Sequence, residues 1–291
     1  MIYLNETIDR HHDMRALFFS LLCIMWGMLA AAQEKVLDHA YIKCQYRSAV
    51  LKDTLDIPTY EDLLILQIGH KVSKCFSYYT FQRDSLARSP EGEQKSRELF
   101  QRALKDFHKH RDGTRFLNSF PRSRGTTMVY KNYPTEGMTV TDALREDKVT
   151  YVDTLNAQQW TMGDSTKEIL GYTCQQATCD FRGRHWTAWF AVDIPVSDGP
   201  WKLGGLPGLI LEAYDRGYQY SFTAVGLERV KDEPIVFTLP NGKGHYRSTD
   251  RRTFLKAKMF DMTHGGALGA AGLSSTDYKP VYQDLIERDY N

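Results

Sequence analysis

Catalytic signatures are missing from this chain. No G-x-S-x-G occurs, so there is no strained strand-to-helix elbow for a nucleophilic serine. Gly204-Gly205 are not followed by the Lys-Ser/Thr that a phosphate-cradling loop needs. A zinc hydrolase would show two histidines four apart with a glutamate between them. Here His108 and His110 are two apart, which on a helix points them to different sides. C-x-x-C spacing is absent, which argues against redox chemistry. An excess of one charge is missing as well: 37 Lys plus Arg against 36 Asp plus Glu leave a net +1. No basic field is available to hold a phosphate backbone, which excludes a nucleic-acid partner.

Also lacking is an apolar run of the roughly 20 residues needed to span a bilayer. The longest, Ala16 to Leu29, is about fourteen residues and follows a basic flank of Arg10, His11, His12 and Arg15. Ala30-Ala31-Ala32 then supplies small residues ahead of Gln33. This pattern predicts a signal peptide over residues 1–32, with Met14 an alternative start, and no transmembrane segment in the mature chain. The expected location is the periplasm or outer envelope.

Cysteine is scarce, and Cys23 falls within the predicted signal peptide. Cys44, Cys75, Cys174 and Cys179 remain, an even count that in an exported chain allows disulfides or free thiols. Cys174 and Cys179 are five apart, so on one strand they face opposite sides at about 16 Å. A bridge needs Cα atoms within about 7 Å, so the two do not pair with each other. A soft-metal site joining Cys174 or Cys179 to Met or His is the other chemistry open to them.

What the chain has in quantity is aromatic residues (12%, with 17 Tyr) and short alternating stretches, both of which favour strands. Val36 to Val50 reads as a first strand, Leu63 to Tyr79 as a hairpin turning at Gly69-His70. Further strands lie at 126–131, 138–141, 148–155 and 159–163. From Leu170 the alternation sharpens: Cys174 and Gln176 face one way, Gln175, Ala177, Cys179 and Phe181 the other. Arg182-Gly183 turns the chain into a second arm through Val192. Leu209 to Tyr214 and Tyr218 to Leu227 form a last hairpin. One helix is predicted over Pro90 to Lys109, ended by Gly113, with Leu99, Phe100, Ala103, Leu104 and Phe107 facing a sheet. Another covers Thr249 to Met262, capped by Ser248 or Thr249. The glycine-rich Gly265 to Gly272 predicts a flexible tail.

Consecutive hairpins at this spacing imply a mainly β (α+β) fold: a curved antiparallel sheet or half-barrel with one covering helix and a C-terminal helix. The domain reading is therefore a signal peptide at 1–32, a single β-rich domain at 33–262, and a tail at 263–291.

Between the two clearest hairpins lies Gly199-Pro200-Trp201-Lys202-Leu203-Gly204-Gly205-Leu206-Pro207-Gly208, a run of rigid and permissive backbone positions feeding the apolar strand from Leu209. The letters Gly205 to Ile210 resemble the signature of the bacterial GLPGLI family. Leu66-Gln67-Ile68-Gly69 with Ser73 is similar to that family's early hairpin. Ile169-Leu170-Gly171-Tyr172 with Cys174, Phe181-Arg182-Gly183-Arg184, Ala188-Trp189-Phe190 and Ile194-Pro195 are similar to its central block. The resemblance spans roughly Tyr46 to Val230 and implies an envelope protein with no established activity. At fold level alone the pattern also resembles lipoprotein-carrier half-barrels, and a fold does not fix a function.

Trp186, Trp189, Phe190, Trp201, Tyr218, Tyr220 and Phe222 supply enough aromatic surface to line a pocket inside a curved sheet. The expected function is non-enzymatic binding of a hydrophobic small molecule, a peptide or an envelope protein, without cofactor or metal. The alternative is an envelope hydrolase or a copper- or zinc-handling protein.

Overall fold

Alternation of apolar and polar side chains builds twelve strands into one sheet. The computed structural model describes residues 35–51, 58–88, 90–111, 124–144, 147–237, 246–263 and 284–290; the predicted signal peptide lies outside them. The strands are β1 (Lys35–Leu51), β2 (Pro58–Gly69), β3 (Ser73–Ser77), β4 (Met128–Lys131), β5 (Gly137–Leu144), β6 (Asp147–Thr154), β7 (Thr161–Ile169), β8 (Tyr172–Phe181), β9 (Arg184–Ala191), β10 (Leu209–Asp215), β11 (Tyr220–Phe237) and β12 (Tyr246–Ser248). Among the described residues three helices accompany them: α1 (Tyr78–Arg88), α2 (Pro90–His110) and α3 (Arg251–Thr263). The expectation of a mainly β fold on one open, curved sheet is met.

The order β12-β6-β5-β4-β3-β2-β1-β11-β10-β9-β8-β7 is two antiparallel meanders joined where β1 lies beside β11. β12 pairs with β6 in parallel. Register decides which residues share a face. Cys44, Leu66, Cys75, Val129, Val140 and Tyr151 follow one another across six strands. In the second meander Cys179 pairs with Trp186, and Ala177 with Ala188. All these side chains are buried in one core cluster, and we call their side the inner face. Burying alternate residues in this way is the main stabilising term for such a sheet, at about 25 cal/mol per Å² of apolar surface.

Two segments pack on the inner face. The connection from β9 to β10, residues 192–208, lays Trp201, Leu203 and Leu206 into the core. Residues 284–290 form a strap against the β8–β9 turn. Leu285, Glu287 and Tyr290 are all buried, and Arg184 donates to the carbonyls of Leu285 (2.6 Å) and Ile286 (2.8 Å). This corrects the expectation of a flexible tail for these seven residues. The glycine-rich stretch before them says nothing of partners that are far away in sequence.

The helices also depart from expectation. Tyr78 to Arg88, whose start reads as strand, is helix α1, opened by the Ser77 hydroxyl accepting from Thr80 N–H at 3.3 Å. It is α1 that packs on β2 and β3, and α3 that packs on β6, while α2 packs on α1. Of the α2 stripe only Ala103 is buried; Leu99, Phe100 and Leu104 are exposed. α2 ends at Arg111, not Gly113: φ there is 54° and its N–H bonds the Phe107 carbonyl at 2.7 Å. Asp250 caps α3 through Thr253 N–H at 3.0 Å, in place of Ser248 or Thr249.

Candidate ligand-binding face

The corner is fixed by three glycines with separate jobs. Gly205 takes φ +86°, where a β-carbon is strained. A β-carbon on Gly208 would lie 2.1 Å from the Ala191 carbonyl oxygen, and one on Gly199 2.9 Å from Ile210 Cβ. Trp201 itself sits at φ 51°, a conformation that costs a bulky residue about 1–3 kcal/mol and needs support from its surroundings. That support is a set of buried hydrogen bonds. Trp201 N–H donates to Cys75 Sγ at 3.3 Å. Lys131 Nζ donates to Asp198 Oδ1 (2.5 Å), the Gly199 carbonyl (2.7 Å) and the Leu203 carbonyl (2.6 Å). Lys202 Nζ reaches Asp153 (2.7 Å), Glu287 (2.5 Å) and the Tyr151 hydroxyl (3.2 Å). Arg251 completes this cluster with bonds of 2.7 Å to both Glu287 and Asp289.

Seated there, the corner plugs the middle of the inner face and leaves a cleft on either side. The first is apolar, about 160 Å³, and runs between β1, β2, β3, Trp201, β11 and the strap. Val50 and Leu64 face Tyr220, Phe222 and Ile286 across it. The Tyr220 hydroxyl is tied to the Asp284 carbonyl at 2.5 Å, and the Arg184 guanidinium lies 4.5 Å from its ring centre. Burial pushes the Tyr220 phenol well up, so the ring presents a neutral face. Asp62 closes one end, accepting from Ser77 Oγ at 2.9 Å and Gly125 N–H at 2.9 Å.

Of the seven aromatic candidates, Trp201, Tyr220 and Phe222 line this cleft. Trp186 stands behind them, 5.8 Å from Trp201 and 6.1 Å from Phe222 by ring centres. Phe190 is fully buried. Trp189 points to the opposite face, where Lys167 lies 4.4 Å from its ring centre. Tyr218 is an exposed turn residue stacked on Tyr214 at 4.3 Å. Sequence reading missed Val50, Leu64 and Ile286. The alternation of β1 and β2 marks the first two as inward-facing; nothing local marks the third.

The second cleft is polar, about 410 Å³, at the β2–β3 turn end of the inner face; Tyr41, His70, Ser73, Lys131, Asn156 and Asp198 are among its walls.

The four cysteines are free and buried. Cys44 and Cys75 both pair with Leu66, one from each side, which separates them by two strand spacings, about 9.5 Å. That exceeds the reach of a disulfide. Burial pushes the thiols up, to about 12 for Cys44 and Cys179 and about 11 for Cys75 and Cys174. Among the described residues no group of three or more His, Cys, Asp or Glu side chains could hold a metal ion. No helix among them is long and apolar enough to cross a membrane.

With this geometry in hand, comparison with known proteins is informative. Residues 119–254, which include β4 to β12 and the corner, match the family described as N-glycanase peptide, N-terminal domain. The GLPGLI resemblance is thereby corrected: the match is to the N-glycanase family. Glycines at 205 and 208 are what any chain needs to take this tight corner into a core strand, so those letters report backbone geometry more than ancestry. No curated protein matches the chain. Two solved structures, titled as PNGF-II in the P21 and C2 space groups, are similar at 13% and 14% identity with TM-scores of 0.47 and 0.46. They match over 74% and 75% of this chain, but the chain spans only about a third (32%) of the length of each.

Proposed function

We propose that this chain is an exported, non-catalytic binding domain of the N-glycanase N-terminal kind, which takes an apolar group of its ligand into the Trp201 cleft. The observation that carries the reading is the cleft itself. It is lined by four aromatic rings and four aliphatic side chains, and it is held open by a corner in which Trp201 adopts a costly backbone conformation. Strain of this kind gathers at sites of recognition. The family match supports the domain assignment, because its description is of an N-terminal domain. Location in the periplasm or outer envelope rests on residues 1–32 alone.

Size narrows the ligand. Pockets for whole small molecules run from about 300 to 1,000 Å³, against about 160 Å³ here. A complete lipid does not fit; one aliphatic or aromatic side chain, or the end of an acyl chain, does. Burying such a group contributes about 1.5–3 kcal/mol, enough to select a ligand but too little to hold it alone. The partner is therefore a peptide or protein segment with further contacts outside the cleft.

The test is a filled cleft. Val50→Phe places a ring among Leu64, Phe222 and Trp201 and leaves the corner's own residues unchanged. Titration with 8-anilinonaphthalene-1-sulfonate and with phenylalanine-containing peptides should quench Trp201 emission in the parent and lose at least tenfold in affinity in the variant. Equal binding by both proteins would overturn the proposal.

A further inference from the structure

Helix α2 keeps much of its apolar stripe in solvent. α1 sits on the sheet through Phe81, whose ring centre is 5.0 Å from that of Phe76, and α2 packs on α1 rather than on a strand. Leu99, Phe100 and Leu104 retain 37%, 51% and 38% of their surface exposed. Phe100 and Leu104 are neighbours one turn apart, so they form a continuous apolar ridge. A contiguous ridge of this kind, unlike single exposed side chains, marks a surface that meets something.

Charge along the same helix is sorted by side. Arg97, Phe100, Leu104, His108 and Arg111 stand three or four residues apart and therefore share one side. Glu98 and Asp106 fall on the other, where Arg102 and His110 each take one of them at 3.6 Å. Among the described residues no carboxylate pairs with Arg97 or Arg111, and both are exposed. Glu93 opens their side in the first turn, at the positive end of the helix dipole. The exposed apolar pair thus lies between unmatched cations.

That combination selects the occupant. Two copies of α2 packed antiparallel about Leu104 would set Arg97 of each against Arg111 of the other, cation on cation. An apolar protein segment would leave both arginines unanswered. A bilayer with anionic headgroups meets both needs, with phosphates at the level of the guanidinium groups and acyl chains under Phe100 and Leu104. α2 is not long and apolar enough to cross such a layer, so it would lie along it. We infer that α2 docks this protein on an anionic membrane surface, with Phe100 and Leu104 inserted and Arg97 and Arg111 at the headgroups. The inference rests on α2 and not on the apolar cleft.

Co-sedimentation of the full chain with vesicles tests it. One set is phosphatidylcholine alone, the other phosphatidylcholine with phosphatidylglycerol at roughly three to one. The anionic vesicles should carry the protein down with half-saturation on the order of 1 mM lipid, and the neutral ones at least about tenfold less well. Salt at about 0.5 M should release it. Phe100→Ser combined with Leu104→Ser should weaken binding at least about tenfold. Both side chains are exposed, so the melting temperature should stay with the parent. Arg97→Gln combined with Arg111→Gln removes charge alone and keeps the test decisive should the first pair melt early. Each arginine is worth about fivefold near an anionic surface at low salt, so the loss there should be about twentyfold. Val50→Phe should bind vesicles as the parent does, which separates a failure here from a failure of the cleft. The inference is overturned if the protein stays in solution with anionic vesicles up to about 5 mM lipid. It is also overturned if neutral vesicles bind it equally, or if either folded double variant binds as the parent does. Sedimentation velocity showing a dimer that the Phe100 and Leu104 changes split would overturn it too, since a second copy would then cover the stripe.

Discussion

Gly205 and Gly208 stand three residues apart in one corner, yet alanine should affect them very differently. At Gly205 a β-carbon would meet nothing closer than 3.6 Å, so the only cost is the left-handed backbone at φ +86°, about 1 kcal/mol. At Gly208 the β-carbon would lie 2.1 Å from the Ala191 oxygen and 2.6 Å from its carbonyl carbon. Neither atom is free to retreat. Ala191 is paired with Leu209 on one side and Cys174 on the other, and its carbonyl accepts from Ile194 N–H at 3.2 Å. Forcing an extra carbon into such packing costs about 3 kcal/mol or more. Alanine also restricts the unfolded chain, which returns about 0.4–1 kcal/mol to each variant. Gly205→Ala should thus stay within about 1 kcal/mol of the parent and Gly208→Ala fall at least ~2 kcal/mol below it. In a domain of this size these correspond to about 4 °C or less and about 4–8 °C or more in melting temperature. Thermal unfolding followed by circular dichroism measures both. A Gly208→Ala protein that melts with the parent, or a reversed order of the two, would refute the account of the corner.

Three further outcomes follow from buried chemistry. The thiols of Cys44, Cys75, Cys174 and Cys179, raised by burial to about 11–12, should be silent to Ellman's reagent at pH 8 and all react in urea; one fast native thiol would count against the packing described. Burial alone would raise the carboxyls of Asp142, Asp153 and Asp289, but Lys258, Lys202 and Arg251 respectively outweigh it and hold them below the usual 3.8. Groups depressed in this way stabilise the fold above their unfolded value and lose that contribution as pH falls, so the urea midpoint should be level above about pH 5 and drop below about pH 4. A midpoint that rises on acidification would reverse the sign. Lys202→Met leaves Asp153 and Glu287 short of a buried partner and should cost about 3–5 kcal/mol, measured by urea unfolding; a cost under about 1 kcal/mol, the range of exposed ion pairs, would show the cluster to be solvated.

The parts of this fold that were legible are those written as local alternation. Placing Cys174 and Cys179 on opposite faces needs only the period of β8, and the register confirms it. A left-handed glycine in the corner is likewise implied by Gly-Leu-Pro-Gly itself. Helix α1 was hidden because Tyr78, Tyr79 and Phe81 have strand-like side chains. Its helicity comes from the Ser77 cap and from Phe81 packing 5.0 Å from Phe76. The strap was hidden because its ties are ionic and distant: Arg184, Lys202 and Arg251 carry no mark of Glu287 or of the 284–286 backbone. The polar cleft gathers residues 41, 73, 131, 156 and 198, and no window along the chain contains two of them as neighbours. The apolar cleft was legible in half, through its aromatic side.

Lys202 also sets an order of events during synthesis. Its ammonium bonds Asp153, 49 residues earlier, and Glu287, 85 residues later. At translation rates of about 5–20 residues per second, some 4–17 s separate the appearance of the lysine from that of the glutamate. Throughout that interval the first meander and the corner exist, but the buried cation lacks one of its two carboxylates. The half-made chain therefore has reason to keep this corner loose and wet until the strap arrives. A chain stopped before residue 284 would carry the whole sheet and still be a substrate for chaperones and proteases.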